Sequence, residues 1–176
     1  QAGICTTKNN KFKQMKYLSI IRHAKSDWSS NVDDIARPLN ERGKAATPMV
    51  ANYLLQQQIK PDLIISSPAT RAHETAKGIA TILKYDVKKI QTEAVVYFGT
   101  SSAIIEHLQN LAPQYNDVFL FGHEPILSSM IFQFTKKSLD KFPTCSVCRI
   151  AFNINHWKEI KTGNCEFLIS PKQLIK

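Results

Sequence analysis

Three short apolar runs in this chain stop abruptly at residues that carry chemistry. Leu18-Ser19-Ile20-Ile21 runs into Arg22-His23-Ala24, and Leu63-Ile64-Ile65 runs into Ser66-Ser67-Pro68-Ala69-Thr70-Arg71. Val118-Phe119-Leu120-Phe121 runs into Gly122-His123-Glu124-Pro125. An apolar run of about four residues without alternation is the pattern of a strand buried on both faces. A parallel strand of that kind delivers the residues that follow it to the carboxyl edge of the sheet, where open α/β folds bind ligands. The expected fold class is therefore α/β, a three-layer arrangement with a mostly parallel central sheet flanked by helices.

The segments between these runs fit that plan. Residues 24–39 read as a long irregular loop ending in Arg37-Pro38-Leu39. Asn40 reads as an N-cap, with Glu41 where the helix dipole favours negative charge. Ala45, Ala46, Met49, Val50, Tyr53 and Leu54 keep helical spacing to about Gln57, and Pro48 falls in the early turns of that helix or kinks it. A second helix is expected from Pro68, a third strand over Val87–Ile90, a loop over 92–100, a helix around Ile104–Leu111 and another after Pro125. Val147–Ile154 and Cys165–Ile169 read as two closing strands joined by a turn at Thr162-Gly163-Asn164.

A chain of 176 residues suffices for one well-buried domain, expected over 15–176, with residues 1–14 as a flexible leader. No apolar run approaches the roughly 20 residues of a membrane span, and residues 1–14 hold no signal-peptide core. Lys plus Arg exceed Asp plus Glu by 23 to 14, so an acidic or phosphorylated partner is favoured. No basic stripe is interleaved with aromatics, which argues against nucleic acid. Cys145 and Cys148 form one C-x-x-C without a second pair, Cys165 stands apart, and Cys5 lies in the leader. The expectation is reduced structural thiols in a cytoplasmic protein, with no metal, no cofactor and no membrane association.

The residue types at the three run ends suit one reaction. Phosphoryl transfer through histidine needs a neutral imidazole with one nitrogen free and the other pinned. Nearby guanidinium groups keep it neutral and neutralise the oxygens of the phosphoryl group in flight. Arginine does this better than lysine because its planar fork binds phosphate in pairs of bonds. Arg22, His23, Arg71 and His123 are therefore the candidate catalytic set. His107 and His156 read as packing histidines, and His73 as outward-facing or supporting.

These motifs resemble a known family. Arg22-His23-Ala24 resembles the R-H-G signature of the histidine phosphatase, or phosphoglycerate mutase-like, superfamily. Residues 66–76 resemble its S-x-x-x-R-A-x-x-T-A motif, and Gly122-His123 its second histidine motif. Arg37-Pro38-Leu39-Asn40-Glu41-Arg42-Gly43 and Gly122-His123-Glu124-Pro125 look most like the small SixA-type phosphohistidine phosphatases. The resemblance spans roughly residues 16–170 and implies a phosphoglycerate mutase-like fold. It implies His23 as nucleophile, Arg22, Arg71 and His123 as phosphate cradle, and Arg37 near the phosphate. Ser26 and Ser29 are further candidate phosphate contacts, although Ser29 stands where mutase-type members carry an asparagine. Ala24 departs from the usual glycine, which is tolerable at a negative φ.

The proton donor is left open among Glu93, Asp27 and Glu124. That openness bears on substrate, since an alkoxide leaving group demands a placed acid worth roughly 10²–10⁴-fold in rate. A protonated imidazole leaves more easily. Dephosphorylation of protein phosphohistidine is the expected function, with a histidine-phosphorylated signalling or phosphotransfer protein as partner. The alternatives are a phosphomonoesterase acting on a small metabolite and a catalytically silent phospho-protein binding module.

Overall fold

The computed structural model describes residues 14–175; residues 1–13, which hold Cys5 and nearly all of the expected leader, lie outside the described residues. Six strands form one sheet: β1 (Met15–Arg22), β2 (Leu63–Ser66), β3 (Gln91–Thr92), β4 (Asp117–Gly122), β5 (Val147–Asn153) and β6 (Asn164–Ile169). Their order is β3-β2-β4-β1-β5-β6. The first four are parallel neighbours, and β5 runs antiparallel to both β1 and β6.

Helices α1 (Glu41–Gln56), α2 (Thr70–Ile82), α3 (Val95–Phe98), α4 (Ser101–Gln109), α5 (Ile126–Thr135) and α6 (Pro171–Leu174) complete the chain. Strand alternation sorts the apolar side chains between two layers. Ile20, Leu63, Ile65, Val118 and Leu120 pack with Ile104, Leu108, Met130 and Phe134 of α4 and α5. Ile21, Ile64, Phe119 and Phe121 pack with Val50, Leu54, Ala76 and Ile79 of α1 and α2. Both sheet faces are covered, which is why the central strands read as continuous apolar runs.

Asn40 caps α1 as expected, its side chain accepting the Gly43 N–H at 2.9 Å. Pro48 sits within α1 without ending it. The second helix starts at Thr70 rather than Pro68, because Ala69 is still extended (φ −61°, ψ 132°). Two expectations fail on the β3 side. Val87–Lys89 is a short 3-10 turn and not a strand, since the Asp86 carboxylate takes the Lys88 N–H and closes the backbone on itself. The segment 92–100 is not all loop, because Val95–Phe98 forms α3 with Val96 buried beneath β4. The β5–β6 connection is longer than a turn and holds a 3-10 segment, Trp157–Glu159, whose indole is buried. Cys165 is not alone: its sulfur lies 3.8 Å from that of buried Cys148 across the β5–β6 pair.

Among the described residues, no helix is long and apolar enough to cross a membrane.

Candidate active site

Parallel register brings the two signature histidines together. Arg22 on β1 pairs with Gly122 on β4, so the residues that follow each strand leave the sheet side by side. The His23 N–H donates to the Gly122 carbonyl at 3.1 Å, and the two imidazole centroids stand 5.0 Å apart. On the other side of β4, Ser66 of β2 pairs with Phe121, and the Ser67 N–H donates to the Phe121 carbonyl at 2.9 Å. Ser67 is thereby set beside His123. Arg71 enters from the first turn of α2.

These ends line a cavity of about 340 Å³ whose walls include Arg22, His23, Arg71 and His123 with Ser26, Arg37 and Glu124. A larger cleft of about 490 Å³ between α1 and α2 carries Lys44, Glu74 and Lys77, but none of the histidines. The smaller, polar cavity is where the chemistry converges.

Hydrogen bonds orient both rings. His23 Nδ1 lies 2.7 Å from the Ala24 carbonyl, which only accepts, so Nδ1 carries the proton and Nε2 keeps its lone pair. Ala24 itself is held by Thr75, whose hydroxyl accepts the Ala24 N–H at 2.9 Å and donates to the Arg71 carbonyl at 2.7 Å. Ala24 is not among the residues of positive φ, so its methyl group brings no backbone strain. His123 Nε2 lies 2.7 Å from the Ser67 hydroxyl, which also accepts the Ala69 N–H at 3.2 Å. With the Ser67 O–H donating to Nε2, the His123 proton belongs on Nδ1.

Burial lowers the His23 pKa from 6.5 to about 4; the Ala24 carbonyl opposes that fall, and Arg71, Arg22 and Arg37 reinforce it. Burial, followed by His23 and Arg71, takes His123 down to about 3. Both rings are therefore neutral at physiological pH.

Asp34 is a site residue that the sequence reading missed. Its carboxylate accepts from Arg37 Nε and Nη2 at 3.0 and 2.8 Å, from Arg71 Nη2 at 2.9 Å and from the Tyr97 hydroxyl at 2.7 Å. Its carbonyl accepts from Arg71 Nη1 at 2.6 Å. The Tyr97 bond, with those from Arg37 and Arg71, holds the Asp34 carboxyl far below the usual carboxylate range. The available signal was the spacing Asp34-x-x-Arg37, since the pair forms an i,i+3 salt bridge. Ser67 was visible only as part of a motif, and Tyr97 lay in a segment read as loop.

Arg37 and Ser26 meet in the site, Arg37 Nη1 donating to the Ser26 hydroxyl at 2.7 Å. Ser29 does not join them. It is exposed and bonds the Asp27 carboxylate through its N–H (2.8 Å) and hydroxyl (2.7 Å). Those bonds hold the Asp27 carboxyl below its ordinary pKa and outside the cavity lining. Glu93 is also absent from the lining; its backbone N–H is spent on the Ser66 carbonyl at 2.9 Å. Of the three candidate acids, Glu124 alone lines the cavity, its carboxylate accepting the Ser128 N–H at 3.0 Å and the Ser128 hydroxyl. His73, His107 and His156 stay out of the lining.

Three buried nitrogens of cavity-lining residues have no partner: Arg22 Nε, Arg71 Nε and His123 Nδ1. A buried donor left unsatisfied costs about 1–3 kcal/mol. The Arg22 and Arg71 guanidinium groups on the walls, beside one neutral imidazole with a free nitrogen, suit a compact, multiply charged anion.

Known proteins resemble this chain in sequence and in fold. Residues 18–94 match the family model described as histidine phosphatase superfamily (branch 1). A chloroplast protein of Arabidopsis thaliana, itself uncharacterised, is 30% identical over 156 residues, covering 81% of this chain and 69% of that protein. The structure of the protein histidine phosphatase SixA complexed with tungstate superposes with a TM-score of 0.80 at 19% identity, covering 90% of this chain and 99% of that one. The mycobacterial glucosyl-3-phosphoglycerate phosphatase Rv2419c shares the fold at a TM-score of 0.66 and 13% identity, over 87% of this chain and 98% of that one.

Proposed function

The chain belongs to the histidine phosphatase superfamily (branch 1), and from that premise we propose that it hydrolyses protein-borne phosphohistidine through a covalent phosphoryl group on His23. His23 Nε2 attacks phosphorus while the bond from phosphorus to the leaving imidazole breaks. The departing ring takes up one proton from solvent. Water then attacks the phosphoryl group on His23, releasing inorganic phosphate and returning the ring to its neutral form. Arg22, Arg71 and His123 hold the equatorial oxygens throughout. Ser67 orients the His123 ring through Nε2. Arg37 contributes positive charge, and its place is set by Asp34 and Ser26.

The observation that carries this reading is a neutral His23, pinned through Nδ1 by the Ala24 carbonyl, in a cavity lined by Arg22, Arg37, Arg71 and His123. The substrate class rests on the carboxylates: Asp27 and Glu93 are absent from the cavity lining, and Glu124, which lines it, is held by the Ser128 N–H and hydroxyl. A phosphorylated imidazole needs less help to leave than an alkoxide. Glu124 supports a second reading, a phosphomonoesterase on a small metabolite, because it is a carboxylate on the cavity wall.

Rapid quench after mixing with a histidine-phosphorylated protein should capture phosphate on His23. Steady-state turnover of that protein should exceed that of phosphoserine peptides and 3-phosphoglycerate. A preference for 3-phosphoglycerate overturns the substrate assignment. Failure to form any phosphoenzyme, with phosphoprotein still bound, would instead identify a binding module.

A further inference from the structure

Of the two most exposed large apolar side chains among the described residues, Trp28 lines this cavity and Phe98 adjoins it through Tyr97, whose ring meets His123. Trp28 is 77% exposed and Phe98 is 73% exposed. Single exposed apolar side chains are ordinary on a protein surface, but two aromatics linked through the same charged groups are not scattered.

Neither aromatic is anchored on the core. The Trp28 ring lies on the Arg37 guanidinium, 3.6 Å from carbon to centroid. Arg37 is bonded to Asp34, and Asp34 accepts the Tyr97 hydroxyl. The Tyr97 ring then meets Phe98 edge-on at 4.7 Å and His123 edge-on at 5.4 Å. A chain of contacts Trp28–Arg37–Asp34–Tyr97–Phe98 therefore ties the 24–39 loop to α3. It presents one exposed aromatic at each end and the site's charged groups between them.

We infer that this rim is the docking surface for the polypeptide that carries the phosphoryl group, with Phe98 and Trp28 gripping the residues around it. The inference rests on the phosphohistidine-protein reading above and names the contacts that select a protein. Trp28 lines the cavity and Phe98 does not, so a ligand held wholly inside never reaches Phe98. Only a larger partner spans both. Charge selects its character. The cavity walls carry Arg22, Lys25, Arg37 and Arg71 against Glu124 as the one carboxylate, in a chain of net charge +9. The fitting partner presents an acidic surface with an apolar contact beside its phosphorylated histidine.

The test uses a phosphotransfer domain phosphorylated on histidine with phosphoramidate, compared with free 3-phosphohistidine. Phe98→Ala should raise KM for the phosphorylated domain about tenfold with kcat held, as expected for loss of an aromatic anchor. Turnover of free 3-phosphohistidine should stay within about twofold. Phe98→Glu should raise KM for the domain further, by repelling its acidic surface. Trp28→Ala should raise that KM as well with kcat held, since Asp34 and Ser26 keep Arg37 in place. Equal losses on both substrates, or none on either, overturn the docking role. A wild-type chain that prefers the domain, beside a Phe98→Ala variant with unchanged KM, overturns the rim alone. A wild-type chain with no preference for the domain over free phosphohistidine overturns the rim and the substrate reading together. Thermal unfolding of each variant within about 2 °C of wild type assigns these effects to contact rather than folding.

Discussion

Consider the ligand-free protein titrated from pH 8 down to pH 4 while its histidine rings are followed by NMR. The site requires His23 to be uncharged, and burial places its pKa at about 4 instead of 6.5. Above pH 6.5 neither the folded nor the unfolded chain holds a proton on this ring, so it contributes no pH dependence. Between 6.5 and 4 the unfolded ring binds a proton and the folded ring does not. Stability therefore falls as pH falls through that window, and the loss from this group levels off below about 4. At 1.36 kcal/mol per pH unit the whole window is worth about 3 kcal/mol. His23 is only 8% exposed, so solvent screening removes little of this. Urea unfolding at pH 7 and pH 4.5 should show wild type losing about 2–3 kcal/mol more than His23→Asn, which lacks the titrating ring. The His23 resonance should keep its neutral position down to about pH 5. A titration midpoint within about half a unit of 6.5, or equal acid losses in wild type and variant, would refute the account of the neutral nucleophile.

Other substitutions address separate parts of the site. Arg71→Ala removes a guanidinium from the cavity wall, and should lower kcat by about 10²–10³-fold in single-turnover assays. Ser67→Ala should cost about tenfold in kcat, the worth of one hydrogen bond, and should move the His123 proton between its nitrogens in ¹⁵N spectra. Ser67→Thr, which keeps the hydroxyl, should restore both. Gly43→Ala would set a methyl carbon 2.2 Å from the Lys25 carbonyl oxygen. Because that oxygen also receives the Asn40 N–H at 3.0 Å, the clash should cost about 1–3 kcal/mol in urea unfolding and disturb the loop bearing Arg37. His107→Gln should leave turnover within about twofold, because His107 lies on α4 away from the cavity lining.

Much of the candidate site is legible in the sequence because its residues sit at strand ends. Arg22, His23, Ser67, Arg71 and His123 each follow an apolar run, and the position of a run's end is local information. Asn40 was legible for the same reason, since a cap depends on the few residues after it. Val87–Lys89 misled because three apolar or long side chains near an edge satisfy a strand pattern. There, one Asp86 side-chain bond decided the turn instead. Asp34 was hidden by its exposed, polar loop. Nothing in its neighbours announces that Arg71, 37 residues further on, folds back onto it.

The amino-acid sequence by itself determined which side chains leave the sheet at its carboxyl edge, and the helices that cover both faces. Burial of apolar side chains with a fixed period needs no knowledge of distant partners. Tertiary structure alone decided that β4 enters between β1 and β2. That insertion sets His123 against both His23 and Ser67, and it depends on long-range strand pairing. It likewise decided that Glu124, rather than Asp27 or Glu93, faces the cavity, and that Asp34 ties the arginines to Tyr97. Charge and hydrogen-bond geometry at a site are sums over elements far apart in the chain, and only the packed fold brings those contributions within a few ångströms of one another.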